Sequence, residues 1–248
     1  MSSSAGIIII GDEILSGRTK DTNINWIANE LNQIGIKLKE ARVIEDDKKI
    51  IVDTVLEFSK KFSYVFTSGG IGPTHDDITT VSIAEAFKVD LEKNQIAMNL
   101  LKKHYKKSNI DFNEARQKMA IIPKGALLID NPVSVAPGFN IKNVYVFAGV
   151  PQIMHGMFHS ISSKLKNGKI MKSKTITCDI GEGKIAISLG QIEKQFLNMK
   201  IGSYPYFNPK SFGTSIVVRS EKIEDIDLAI EKLREIISQF GGKYEISL

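Results

Sequence analysis

The sequence predicts an α/β protein in two parts: a three-layer α/β/α domain on a mostly parallel sheet over residues 1–168, then a small α+β ferredoxin-like domain over residues 169–248. Three observations lead there. Apolar, β-branched runs alternate with segments of helical periodicity from Ile7 onward, a Gly-rich turn follows one of these runs, and the pattern changes after the polar stretch Asn167, Gly168 and Lys169.

Ile7–Ile10 is β-branched throughout and stops at Gly11, as expected of a central strand buried on both faces. Asp21 or Thr22 can cap the helix that follows, in which Ile24, Ile27, Ala28, Leu31 and Ile34 recur at helical spacing before Gly35 ends it. Residues 36–44 read as a second strand, 48–62 as a helix with Asp47 as its cap, and Tyr64–Thr67 as a third strand. Residues 91–119 read as wholly helical, 127–131 and 144–148 as short strands divided by Pro132, Pro137 and Gly138, and 152–165 as a closing helix. Beyond the hinge the order is strand 175–180, helix 185–196, strands 202–207 and 214–219, helix 223–240 and strand 244–247. That is the split β-α-β order.

Composition narrows the class. Of 248 residues, 42% are hydrophobic and 25% charged, as in ordinary globular chains. Cys178 is the only cysteine, which rules out an internal disulfide and a cysteine-based zinc site and fits a reducing, cytoplasmic setting. No membrane span and no signal peptide are expected, because Asp12 and Glu13 follow the opening apolar run at once and no basic residue precedes it. The net charge of +5 is explained by a general preference for lysine; Lys102, Lys103, Lys106 and Lys107 form a solvated helix face, and nucleic acid is not an expected partner.

The chemistry is concentrated in Thr67-Ser68-Gly69-Gly70-Ile71-Gly72-Pro73-Thr74-His75-Asp76-Asp77. Glycines let the backbone take positive φ and let a ligand approach the main chain, and the helix beginning near Ile78 adds free N–H groups and its positive dipole end. These features predict an anion site in which the amides of Gly69, Gly70 and Gly72 and the hydroxyls of Thr67, Ser68 and Thr74 face phosphate. Asp76 and Asp77 would repel that phosphate unless a divalent cation such as Mg, Mn or Co lies between, or unless one of them only caps the helix. Asp12, Glu13 and Asp46 follow the first two strands and can gather at the same sheet edge, so Asp46, Asp76 and Asp77 are the expected metal set. His75 could donate to phosphate or simply be a surface residue; His155 and His159, spaced i, i+4, lack a third ligand; Trp26 reads as core. The chain has no Gly-x-x-x-x-Gly-Lys-Ser/Thr, and its Gly spacing departs from the dinucleotide fingerprint.

Taken together, three blocks resemble the MoaB/Mog-like molybdopterin-binding domains, in the branch of CinA and the hydrolase half of eukaryotic FAD synthase. They are Gly11-Asp12-Glu13-Ile14-Leu15-Ser16-Gly17 with Asp21-Thr22-Asn23, the Gly69–Thr79 block, and Gly149-Val150-Pro151. Gly202-Ser203-Tyr204-Pro205 resembles the KH-like region that follows in CinA, although Gly181-Glu182-Gly183-Lys184 lacks the spacing of an RNA clamp. Two positions depart from the pattern: Ala148 where proline is usual, and Ile153 where CinA proteins carry glutamate.

The resemblance implies metal-dependent hydrolysis of a nucleotide pyrophosphate, ADP-ribose or FAD, to AMP and a second phosphate ester. Gly11, Asp12, Glu13, Asn23, Pro73, Gly149, Val150 and Pro151 then join the glycine loop in holding substrate, and water activated by the metal is the expected nucleophile. CinA's amidohydrolase and the synthase's adenylyltransferase lie outside the matching blocks, so neither activity is expected. Two other readings share this scaffold: a molybdopterin-binding or adenylylating role in molybdenum cofactor synthesis, and a non-catalytic interaction module. Relatives tend to assemble, which makes a homo-oligomer the expectation.

Overall fold

The computed structural model describes residues 3–166, 168–208 and 211–247, so Asn167 of the expected hinge lies outside the described residues. The chain divides into two compact units, Met1–Gly168 and Lys169–Leu248. Among the described residues no helix is long and apolar enough to cross a membrane.

In the first unit the order is β1 (Ser4–Ile10), α1 (Asp12–Leu15), α2 (Asn23–Gln33), β2 (Lys37–Ile44), α3 (Lys48–Lys61), β3 (Tyr64–Ser68) and α4 (Thr79–Phe87). There follow β4 (Leu91–Lys93), α5 (Gln95–Lys107), α6 (Glu114–Lys118), β5 (Ile121–Pro123), β6 (Leu127–Ile129), β7 (Gly138–Ile141), β8 (Val144–Phe147) and α7 (Pro151–Ser162). Six strands form one sheet in the order β2-β1-β3-β8-β7-β6. The pairs β1/β2, β1/β3 and β3/β8 are parallel, whereas β7 runs antiparallel to both β6 and β8.

The period-2 alternation of a strand explains the three layers. Ile8 and Ile10 of β1 pack on one face with Phe58, Val55 and Ile83 from α3 and α4, while Ile7 and Ile9 pack on the other with Ile27, Leu31, Met157 and Phe158 from α2 and α7. Each face of β1 is therefore covered, which is why the sequence there is apolar without alternation. From β1 the chain passes to β2 on one side and then crosses to β3 on the other. The carboxyl ends of β1 and β3 thus border a topological switch point, the place where open α/β sheets take ligands.

Residues 91–119 differ from the continuous helix expected. Asn94 and Asn113 each accept a backbone N–H three residues on and start α5 and α6, and Asn109 at φ 52 ends the turn between them. Leu91–Lys93 is instead a strand that pairs with β5. The sequence reading also missed β7, because Asn140 and the positive φ of Lys142 form a tight hairpin into β8 that carries no Gly signal. Asp47 caps α3 as expected, accepting from the Ile50 amide, and Asp21 serves α2 by accepting from Ile24.

The second unit comprises β9 (Lys172–Cys178), α8 (Glu182–Gln195), β10 (Lys200–Asn208), β11 (Ser211–Ser220), α9 (Ile223–Gln239) and β12 (Tyr244–Ser247). Its sheet order β10-β11-β9-β12 is fully antiparallel. Ile176, Cys178, Ile216 and Val218 meet Ile185, Ile192, Ile226 and Leu233 in its own core, which gives the ferredoxin-like α+β arrangement.

Candidate functional site

A cleft of about 570 Å³ opens at the carboxyl ends of β1, β2, β3 and β8. It gathers Gly11, Glu13, Asp46, Gly69, Gly70, Gly72, Pro73, Asp76, Asp77, Gly149, Val150 and Pro151 from the expected set. Thr19, Ile71, Met119, Asn131, Ser134, Ala136, Ala148 and Ile153 also line it.

Two glycines are demanded by geometry. A Cβ at Gly69, at φ 117, would lie 2.1 Å from the Ile10 carbonyl oxygen, and one at Gly70, at φ 68, would lie 2.2 Å from Thr79 Oγ1. The loop leaves the strand hard against β1, and only glycine fits there. Thr79 closes the same turn, its amide donating to the Gly70 carbonyl and its hydroxyl to that of Gly69 at 2.9 Å.

The donors are not distributed as the sequence suggested. The Gly69 amide continues the sheet by donating to Phe147 O, and the amides of Gly72 and Thr74 donate to the Asp77 carboxylate, each at 2.7 Å, joined by the Thr74 hydroxyl. The phosphate roles expected of Gly69, Gly72 and Thr74 are corrected accordingly. So is the metal role of Asp77: with three donors on it, its carboxylate stabilises the loop from within. Lys118 fastens the outside, its ammonium donating to the carbonyls of Thr74 at 2.5 Å and Asp77 at 3.0 Å. The amides of Gly70, Ile71, Gly149 and Val150 meet no acceptor among the described residues, and all four residues line the cleft. They are the donors available to an anion, the last two immediately before α7, of which Val150 is the N-cap.

Thr67 and Ser68 are buried under the loop and do not face the cleft, because their side chains point into packed structure. The Ser68 hydroxyl accepts from Asn23 Nδ2 at 2.9 Å, and the same carboxamide donates to Gly149 O at 2.8 Å. Asn23 therefore ties the start of α2 to the ends of β3 and β8 and is not a ligand contact. Asp12 turns from the cleft as well: its amide donates to Asp46 Oδ2 at 3.1 Å and its carboxylate accepts from the Asp46 amide at 3.3 Å, locking β1 to β2. His75 is exposed. His155 stacks on Trp26 at 3.7 Å between centroids with its Nε2 buried and unpartnered among the described residues, while His159 Nε2 meets Glu30 at 3.2 Å, so the two rings do not converge as a metal pair. Trp26 is only half-buried, set against His155 and Phe158.

Asp46 and Asp76 remain as acids facing the cleft, with Glu13 beside them. Among the described residues no three His, Cys, Asp or Glu side chains converge closely enough to hold a metal alone. The donor set still suits magnesium or manganese, which take one or two carboxylates and complete their shell with phosphate oxygens and water. Burial first, then the charges of Asp12, Glu13 and Asp76, push the Asp46 carboxyl up, against the hydrogen bond from the Asp12 amide.

The sign for stability follows from linkage. The folded Asp46 carboxyl titrates above the unfolded one, so between the two values the native chain holds a proton the unfolded chain has lost, and stability falls as pH rises through that window. Asp46→Asn keeps an acceptor for the Asp12 amide and removes the charge. It should raise the melting temperature of the first unit by about 1 °C at pH 7.5 without divalent cation, and leave it unchanged well below the carboxylate range. Thermal scans at both pH values check this; a gain that persists in acid would discount the charge.

A second expectation concerns Lys118. Lys118→Met removes two charge-assisted hydrogen bonds from a half-exposed loop. Hydrogen exchange at the amides of residues 72–77 should accelerate about tenfold while the sheet stays protected.

The wall missed from sequence is residues 131–136. Asn131 is 2% exposed and uses its whole hydrogen-bonding capacity: Nδ2 donates to Ser134 Oγ and to Ala136 O, each at 2.7 Å, and Oδ1 accepts from the amides of Val133 and Ser134, each at 3.0 Å. Val135 is held at φ 70, left-handed backbone that costs a β-branched residue about 1–3 kcal/mol. Asn-Pro at 131–132 signalled a turn, but nothing local showed that it reaches the cleft.

Comparison with known proteins agrees with this architecture. Residues 6–167 match the family described as "Probable molybdopterin binding domain", and residues 170–241 match "FAD synthase, middle domain". A protein of Sulfurisphaera tokodaii is 33% identical over 96% of both chains. A "Probable FAD synthase" of Caenorhabditis elegans is 30% identical over 95% of this chain, which spans 50% of that relative's length. The crystal structure of the protein CinA of Thermoplasma acidophilum, described as of unknown function, superposes with a TM-score of 0.61 at 32% identity, covering 66% of this chain and 98% of that one.

Proposed function

Because the chain belongs to the molybdopterin-binding domain family of MoaB/Mog-like fold, we propose that its cleft binds a nucleotide pyrophosphate of the ADP-ribose or FAD type and hydrolyses it with a divalent cation. One observation carries this reading: free backbone amides at Gly70, Ile71, Gly149 and Val150 and the acids Asp46 and Asp76 line one cleft at the switch point of the sheet. Amides without acceptors call for an anion; acids beside them call for a cation that bridges to it. The match of residues 170–241 to the middle domain of FAD synthase supports a flavin or adenine nucleotide over a bare pterin.

In this mechanism the four amides bind and orient the phosphoryl oxygens, and Gly69 and Gly70 let the main chain come within reach of them. Asp77, inside the loop, keeps the amides of Gly70 and Ile71 in place before substrate arrives, and Asn23 does so for Gly149. Asp46 and Asp76 would hold the magnesium, manganese or cobalt ion; when bound, that ion supplies charge neutralisation and polarises a phosphoryl oxygen. Water adds across the P–O–P bond, one phosphorus taking the hydroxyl oxygen and the other leaving as a phosphate, to give AMP and a second phosphate ester.

A second reading, molybdopterin binding or adenylylation in molybdenum cofactor synthesis, is favoured by the family match over residues 6–167. Incubation of purified protein with ADP-ribose, FAD or molybdopterin in the presence of each cation separates the two. Release of AMP from a dinucleotide supports hydrolysis; tight molybdopterin binding with every nucleotide intact overturns it.

A further inference from the structure

The cleft is larger than a pyrophosphate needs, and none of the amides and acids assigned to one belongs to the wall at residues 131–136. That wall is built with care. Asn131 is buried with every donor and acceptor used, and Val135 is kept in left-handed backbone, a strained state that persists only where the surroundings fix it. The outcome of this bracing is the placement of one hydroxyl. Ser134 Oγ accepts from Asn131 Nδ2 at 2.7 Å, so one lone pair is committed to the loop, while its O–H proton has no acceptor among the described residues. Ser134 lines the cleft, as do Met119 and Ala136, which share an apolar cluster with each other. An apolar surface with a single oriented donor is the environment that planar heterocycles take in small-molecule sites.

We propose that Ser134 is a specificity-determining residue, whose hydroxyl donates to a ring nitrogen or carbonyl of the nucleotide's heterocycle while Met119 and Ala136 cover the ring. The assignment rests on the nucleotide reading above and adds to it the part of the ligand that this wall recognises. It separates the cleft into a phosphate half made of backbone amides and a ring half made of Ser134 and its apolar neighbours.

Two ligands test it, ADP-ribose, which carries a heterocycle and sugars, and inorganic pyrophosphate, which carries neither, with ribose 5-phosphate as the control that has a sugar and no heterocycle. Titration calorimetry without divalent cation, so that no ligand is hydrolysed, should show Ser134→Ala binding ADP-ribose about tenfold more weakly than the wild type, with the affinities for pyrophosphate and ribose 5-phosphate unchanged. Ser134→Thr, which keeps the hydroxyl, should recover most of the loss. An equal loss for both ligands would mean that Ser134 only supports the loop, and no loss for either would mean that it faces nothing; both results overturn the assignment while leaving the nucleotide reading in place. If the wild type takes up pyrophosphate and no nucleotide, the nucleotide reading falls and this assignment with it.

Discussion

Replacing Asp77 with alanine should weaken nucleotide binding about 100-fold while lowering the stability of the first unit by only about 1 kcal/mol. The disparity comes from where the carboxylate sits. It accepts from the amides of Gly72 and Thr74, each at 2.7 Å, and from the Thr74 hydroxyl, so it is the inner support of a loop that otherwise touches the body through Lys118, Thr79 and the packed side chain of Ile71. Released donors at the half-exposed tip find water, which limits the cost to folding. A ligand, however, must then order several residues on arrival, at about 1 kcal/mol or more of backbone entropy each. Calorimetry with ADP-ribose and a thermal scan of the same variant measure both quantities. Wild-type affinity in Asp77→Ala would show that loop order has no bearing on recognition.

Asp76→Ala should remove AMP release almost entirely, about 1000-fold in rate, with no change in melting temperature. Asp76 is exposed, so its loss disturbs no packing and removes only solvent-screened hydrogen bonds from Thr74 and its own amide. It lines the cleft with Asp46, and two carboxylates are what a magnesium or manganese ion takes from a protein before substrate phosphate completes its shell. Transition-state stabilisation by such an ion amounts to several kcal/mol, and about 4 kcal/mol corresponds to three decades. The measurement is AMP formed from ADP-ribose or FAD under saturating cation, read by chromatography. A variant that hydrolyses at the normal rate would remove Asp76 from the mechanism, and if Asp46→Ala did the same the metal-dependent reading would be lost.

Much of the first unit was legible because its signals are local. Ile7–Ile10 is apolar without alternation, and β1 is indeed covered on both faces. The Gly-rich turn was found for the right reason, since Gly69 and Gly70 occupy backbone that no other residue fits. Failures came where a partner lies far along the chain. Asp77 reads as one of two equivalent acids until its loop closes around it, and the clamp that fixes that loop, Lys118, is 41 residues away from it in sequence. Asn131 offered only a turn signal, although it braces a cleft wall. Within residues 91–119 the local signals were present and outweighed: Asn94, Asn109 and Asn113 mark two caps and a left-handed turn, but the apolar spacing between them imitates one long helix.

The two sides of the cleft are tethered differently, and this bears on how the protein can be re-engineered. Gly149 and the Ser68 hydroxyl share one carboxamide at Asn23, so an insertion or deletion between Gly11 and Asn23 would shift both of these supports together, although Ser68 also stays paired in the sheet. Residues 132–135 take their hydrogen bonds from Asn131, while Pro132 and Val133 lie against Gly156 of α7, so Ser134 and Val135 are the positions that can be exchanged with least effect on the scaffold. Libraries that keep Asn131, Pro132, Val133 and Ala136 and vary Ser134 and Val135 offer the direct route to altered substrate preference on this fold.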